Sequence, residues 1–182
     1  EFEQAAMYRD RIRALSQIRS HQDINLEGVE EADVIALHQE GGQSCVQVFF
    51  FRSGSNYGNR SYFPRHEQSA EIPEILSAFV GQFYADKPAP KQIFLSHEIE
   101  GQELVENALG INNNRKIELL VPKRGGKRKL VEHALTNAKD ALGRRLAESA
   151  TQRKLLEDLA DKLDLESTPE RIEVYDNSHT QG

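Results

Sequence analysis

The chain has 182 residues, 38% hydrophobic and 29% charged, with 23 basic against 29 acidic side chains. That length carries one domain with a sizeable core, or one domain plus parts of its neighbours. The longest apolar runs, among them Val48-Phe49-Phe50-Phe51, fall far short of the ~20 residues a spanning helix needs, and the single Cys45 excludes a disulfide scaffold.

Taken in chain order, Phe2, Ala5, Ala6, Ile12, Leu15 and Ile18 fall near a 3.6 period, so residues 1–19 read as an amphipathic helix. It opens on Glu1 with no capping residue ahead of it and carries no signal-peptide pattern, which points to a cytoplasmic protein. Residues 20–32 are polar and acidic and read as a linker. Three strand-like runs follow, Asp33–Glu40, Ser44–Arg52 and Gly58–His66, separated by Gly41-Gly42 and by Ser53-Gly54-Ser55-Asn56. Pro64 ends the third or places it on a sheet edge. Cys45, inside the second, reads as a small buried hydrophobe.

Beyond this antiparallel meander the pattern alternates. Glu71–Tyr84 is helical, Gln92–Leu95 a short strand, Gly101–Leu109 a helix that Gly110 ends, and Lys116–Val121 a strand. A long helix covers about Lys127–Leu163, with Leu130, Leu135, Ala138, Leu142, Leu146, Leu156, Leu159 and Leu163 as its seam. Ser167-Thr168-Pro169 breaks the chain, and Arg171–Tyr175 is a fresh strand running into Asp176. The order predicts an α/β fold of the ribonuclease H-like kind: a mixed sheet with a meander first, then alternating helices and strands, preceded by one helix and trailed by a long one. An ordinary α/β spacer domain is the alternative.

The acidic balance hides a local reversal. Arg115, Lys116, Lys123, Arg124, Lys127, Arg128 and Lys129 stand against Glu118 alone, so residues 115–129 carry a net +6 while the rest of the chain is acidic. Lys123, Arg124, Lys127, Arg128 and Lys129 flank Gly125-Gly126 just before the long helix, where glycines let backbone amides approach phosphate and the helix dipole favours an anion. Several such cations give salt-sensitive, sequence-blind DNA binding. The alternative is a solvated charge run. No GxxxxGK[ST] is present, so a nucleotide ligand is not expected. Arg60, beside Asn59, is a further candidate DNA contact, while Tyr57, Tyr62 and Phe63 read as structural.

Three segments bring a family into view. FEQAAMYRDRIRAL resembles the second half of a UVR motif, the helical hairpin shared by the excision-repair subunits UvrB and UvrC. PKRGGKRKLVEHALTNAKDAL resembles a basic segment and helix in the middle of UvrC, and RIEVYDNSHTQG resembles the opening strand of its C-terminal endonuclease domain. The resemblance covers the whole chain and implies an internal fragment of the UvrC family, whose members cut DNA on both sides of a lesion. It divides the chain into 1–19 (half a UVR hairpin), 20–32 (linker), 33–166 (central ribonuclease H-like domain with its long helix) and 170–182 (first strand of the endonuclease domain).

The resemblance also assigns roles. Asp176 would be the first carboxylate holding a divalent metal, Mg or Mn, and His179 would orient that site or contact phosphate, with the remaining ligands beyond Gly182. On the bare residues, Asp-Asn-Ser after a strand is equally a turn or a helix cap. Phe2, Ala5, Ala6, Arg9, Asp10 and Ile12 would form the face that meets the matching hairpin of UvrB; the alternative is a simply packed or solvated helix. In the central domain His38 occupies the place of Asp176, and Ser96-His97-Glu98 follows the next central strand. Imidazole does not replace a bridging carboxylate for a hard cation, so the central domain is expected to be catalytically silent. A non-enzymatic DNA-binding and protein-interaction adaptor is the competing reading.

Overall fold

A computed structural model describes residues 31–169 and 171–173 of the chain. The chain divides into two compact units, one ending at Leu142 and the other starting at Gly143.

The first unit is organised by two tight hairpins. Strand β1 (Glu31–Glu40) turns into β2 (Gln43–Arg52) through Gly41-Gly42, both at positive φ (58° and 73°). Two consecutive left-handed residues form the hairpin turn whose twist suits the flanking strands, and glycine adopts it without strain. Ser53 and Gly54 repeat the device at φ 51° and 72°, so β3 (Ser55–Tyr62) begins at once, with Arg52 opposite Ser55. The third strand therefore starts three residues before the expected Gly58 and stops four before His66. A two-residue turn needs no longer loop, and Pro64 has no N–H with which to extend the ladder.

The chain then crosses back through α1 (Ile72–Phe83) to β4 (Gln92–Leu95), parallel to β1, and through α2 (Gln102–Asn113) to β5 (Glu118–Leu120), parallel to β4. The sheet order is β3-β2-β1-β4-β5, a mixed sheet of the ribonuclease H-like kind. Gly110 does not end α2. The helix continues to Asn113, Asn114 takes the left-handed conformation (φ 49°), and the Arg115 N–H returns to the Gly110 carbonyl at 3.2 Å. Asparagine tolerates that conformation, so it supplies the stop that glycine was expected to give.

Strand alternation feeds two cores. Ile35, Leu37, Val46, Val48, Ile93 and Leu95 pack under α1 and α2 with Leu76, Val80 and Leu109. Ala32, Val34, Ala36, Phe49, Phe51 and Phe94 face Leu130, Val131 and Ala134 of α3 (Gly125–Lys162). Small residues on both sides, Ala32 and Ala36 against Ala134, let that helix lie close to the sheet. Cys45 is buried, as expected. Gln47, also buried, is satisfied by Asn59 at 2.8 Å and Ser61 at 2.6 Å.

The second unit carries the remainder of α3. Its seam is sparsely covered: Leu155 is 62% and Leu163 60% exposed, while Ala160 is buried. The helix closes through a Leu165 N–H to Ala160 carbonyl bond of 2.9 Å. Of the strand expected over Arg171–Tyr175, residues 171–173 have no regular structure, and Ile172 is 58% exposed. No strand pairs with them among the described residues, and an unpaired strand leaves its backbone groups without a ladder.

Candidate nucleic-acid interface

The basic segment forms the entry to α3. Gly125 starts the helix at φ 76°, and nothing lies within 4 Å of a Cβ placed on Gly125 or Gly126. The glycine pair is thus open to the outside, flanked by exposed Lys123, Arg124 and Lys129. Lys127 lies half-buried with its ammonium 4.9 Å from the Phe94 ring centroid, a cation–π contact that ties the first turn to β4. Arg128 pairs with Glu132 at 2.7 Å one turn on.

Of the other two cations of the run, Arg115 is committed to the fold and Lys116 forms a surface ion pair. Arg115 bonds Glu31 at 3.2 Å and also the Ala89 carbonyl. Lys116 pairs with Glu118 at 2.9 Å, which lowers the Glu118 pKa and raises its own. Arg115 is thereby withdrawn from a ligand while Lys116, 83% exposed, is not, and the five residues of 123–129 that the sequence singled out remain the candidates.

A second group stands where β1 and β4 end. The Ser96 N–H donates to the Ile35 carbonyl at 3.0 Å, and the Leu37 N–H donates to Ser96 Oγ at 3.0 Å. Ser96 Oγ also lies 2.9 Å from His97 Nδ1. Ser96 is 8% exposed, and its hydroxyl, which accepts from the Leu37 amide, donates to Nδ1 in one imidazole tautomer and accepts from it in the other. Burial holds the His97 pKa below its ordinary value, and the Arg128 guanidinium lowers it further. Arg128 at the helix entry is thus within electrostatic reach of His97. His38, two residues before the end of β1, is half-buried with its Nε2 3.4 Å from Glu40, and Glu98 is exposed.

At the opposite end of β1 the sheet holds a carboxylate that sequence reading missed. Asp33, 1% exposed, accepts from Arg52 at 2.7 Å and from the Tyr84 hydroxyl at 2.6 Å. Burial raises its pKa against the pull of these two donors, and burial together with Asp33 pushes Tyr84 well above its ordinary range. The available signal was a lone Asp at the head of an otherwise apolar strand, EADVIAL, with an Arg ending the next. Among the described residues no grouping of His, Cys, Asp and Glu could hold a metal ion. The described part of the chain therefore does not fit a divalent-metal centre.

Arg60 is not brought to the basic segment. It lies on the edge strand β3, stacked 5.4 Å from the Tyr62 ring centroid, whereas Lys127 lies over β4, with β2 and β1 between the two strands. Tyr62 packs on Phe79 and Phe83 at 5.5 Å each, as a structural residue should, but Tyr57 is 71% exposed at the sheet edge and has no core role. Asp176 and His179 lie outside the described residues, as do Phe2, Ala5, Ala6, Arg9, Asp10 and Ile12.

Comparison with known proteins decides the family. Residues 31–145 match the family model of the UvrC ribonuclease H-like domain. The chain belongs to that family. Over its full 182 residues it is 63% identical to the UvrABC system protein C of Rhodopseudomonas palustris and 62% identical to that of Paramagnetospirillum magneticum, covering 26% and 29% of those proteins. The corresponding protein of Maricaulis maris is 59% identical, with 29% covered. The chain thus spans between a quarter and a third of the relatives' length. In this UvrC ribonuclease H-like domain His38 lies near the end of β1 and Ser96-His97 follows β4, with Arg128 of α3 within electrostatic reach of His97. No helix among the described residues is long and apolar enough to cross a membrane.

Proposed function

We propose that the chain is the central part of a UvrC-type excinuclease subunit of nucleotide excision repair, acting in the cytoplasm. In this reading its ribonuclease H-like domain holds the DNA backbone without cutting it. The observation that carries the reading is the run of cations around an open glycine pair at the entry of α3, in a domain whose strand ends bear His38 and Ser96-His97 in place of carboxylates. Such a helix entry attracts phosphate directly, and imidazole does not replace a bridging carboxylate for a catalytic metal. Lys123, Arg124, Lys127, Arg128 and Lys129 are the proposed backbone contacts; Arg60, remote from them, would serve only a DNA path that also crosses the β3 edge.

Incision would belong to the endonuclease head that begins near Asp176. Asp176 is its proposed first metal ligand, for Mg or Mn, and His179 a neighbour that orients the site or contacts phosphate. Residues 1–19, through Phe2, Ala5, Ala6, Arg9, Asp10 and Ile12, would engage UvrB. The test is Asp176→Ala in the complete protein: one of the two incisions is lost and the other survives. Survival of both at the normal rate removes Asp176 from the centre. If the complete protein makes no incision at all, the adaptor reading takes the place of the enzyme.

A further inference from the structure

The free edge of the sheet, at β3, supports one more step, which rests on the DNA-holding reading above but not on the α3 cations. We propose that this edge binds single-stranded DNA, with Tyr57 stacking on an unpaired base while Arg60 and Lys87 hold the flanking phosphates.

The backbone displays the ring. Asn59 stands opposite Phe49 and Asn56 opposite Phe51, so Tyr57 and Gly58 together face the single residue Phe50. The Gly58 N–H donates to Asn56 Oδ1 at 2.8 Å, and Gly58 takes a φ of 122°, which glycine adopts without strain. This bulge leaves Tyr57 71% exposed on an outer strand. A bulge also interrupts the ladder that an added protein strand would need, so the edge is a poor template for strand addition.

The cations stand on rings. Arg60 lies over Tyr62 at 5.4 Å and Lys87 over Phe83 at 4.3 Å, and those two rings meet edge to face at 5.5 Å. Phe50, opposite the bulge, stacks on the same Phe83. Tyr57 is therefore at the margin of one aromatic group that carries two exposed cations. Lys87 donates to the Phe83 carbonyl at 3.3 Å, which holds the ammonium in place with protons to spare. Residues 53–66 contain Arg60 and Arg65 and no acid, in a chain of net charge −6. Among the described residues, Arg60, Lys87 and the neighbouring Asp86 are in no ion pair. An exposed aromatic beside unpaired cations suits a flexible strand whose bases can turn outward; a duplex keeps its base faces stacked on one another.

The test compares the affinity of the 182-residue chain for a fluorescein-labelled oligothymidylate, an abasic strand of equal length and a duplex, across salt concentrations. Tyr57→Ala is expected to weaken oligothymidylate binding roughly tenfold at an unchanged salt slope, because a stacked base releases no counterion. It should leave the abasic strand and the duplex unaffected, and Tyr57→Phe should bind like the wild type. Arg60→Gln should make the single-strand slope shallower by about 0.7. The chain has no Trp, so the indole emission of Tyr57→Trp should be quenched by oligothymidylate and not by the abasic strand. Thermal melting of each variant checks the fold.

Wild-type affinity for oligothymidylate in a folded Tyr57→Ala chain overturns the site and leaves the exposed ring to a protein partner. An equal loss on the abasic strand overturns stacking. Failure of the wild-type chain to bind the single strand overturns the proposal as a whole. None of these results touches the α3 reading, which stands or falls on duplex binding by variants of Lys127 and Arg128.

Discussion

Arg52 donates to Asp33 at 2.7 Å beneath the sheet, at the end of β1 opposite His38. The buried acid of this strand is thus committed to a clamp joining β1, β2 and the residue after α1, since Tyr84 completes it at 2.6 Å. It is a structural carboxylate at the wrong end of the strand for a centre at His38 and His97.

Breaking the clamp should be costly. Asp33→Ala leaves the buried Tyr84 hydroxyl without its acceptor while Arg52, a third exposed, keeps Glu31 and the Ala32 and Phe51 carbonyls, so it is expected to lower unfolding free energy by about 1–3 kcal/mol. Tyr84→Phe should cost about 1.5–3 kcal/mol, the scale of a hydrogen bond to a charged group. Urea unfolding followed by circular dichroism measures both.

The pH dependence of that clamp has a definite sign. Burial raises the Asp33 pKa above its ordinary 3.8, so between those values the folded chain binds more protons than the unfolded one. Stability from this group is therefore largest at low pH and falls as pH rises through the window just above 3.8. The gap in stability between the wild type and Asp33→Asn, which does not titrate, should widen as pH is lowered toward that value. A gap that narrows would mean the carboxyl is depressed rather than raised.

Ser96→Ala should destabilise as well. It leaves the buried Leu37 N–H without its acceptor, at a cost of about 1–3 kcal/mol. It also removes the Ser96 Oγ contact to His97 Nδ1, which nitrogen-detected NMR of the imidazole would report as a shift of the Nδ1 resonance.

Gly81→Ala should stabilise. Gly81 lies inside α1 with no heavy atom within 4 Å of a built Cβ and no positive φ, so alanine restores helix propensity worth about 0.8–1 kcal/mol. A raised melting temperature is the expected result.

Much of the fold was legible because the periodicity was clean. Gln92–Leu95 formed as expected, and the α1 stripe of Ile75, Leu76, Val80 and Phe83 is buried. The misreadings came where a local signal was overridden. Ser53 took a left-handed conformation usually left to glycine, which brought β3 forward to Ser55, and Asn114 rather than Gly110 stopped α2. At the site, the five cations were visible as a charge run, because charge is a property of sequence. The part played by Ser96 was not, since a serine after a strand acquires meaning only when the neighbouring strand brings the Leu37 amide to it. Long-range pairing of this kind also hid the partnership of Asp33 with Tyr84, 51 residues away.

The central claim is that the entry of α3 binds DNA through phosphate contacts. Its most direct test is the salt dependence of duplex binding by the 182-residue chain and by the Lys127→Glu, Arg128→Glu double variant, on two unrelated sequences. Both side chains are partly solvent-exposed, so the variant should stay folded. Its affinity should fall equally on both sequences, with a log–log salt slope shallower by roughly 1.8, two contacts at 0.9 each. An unchanged slope and affinity in the folded double variant would contradict the account and leave the run as a solvated face.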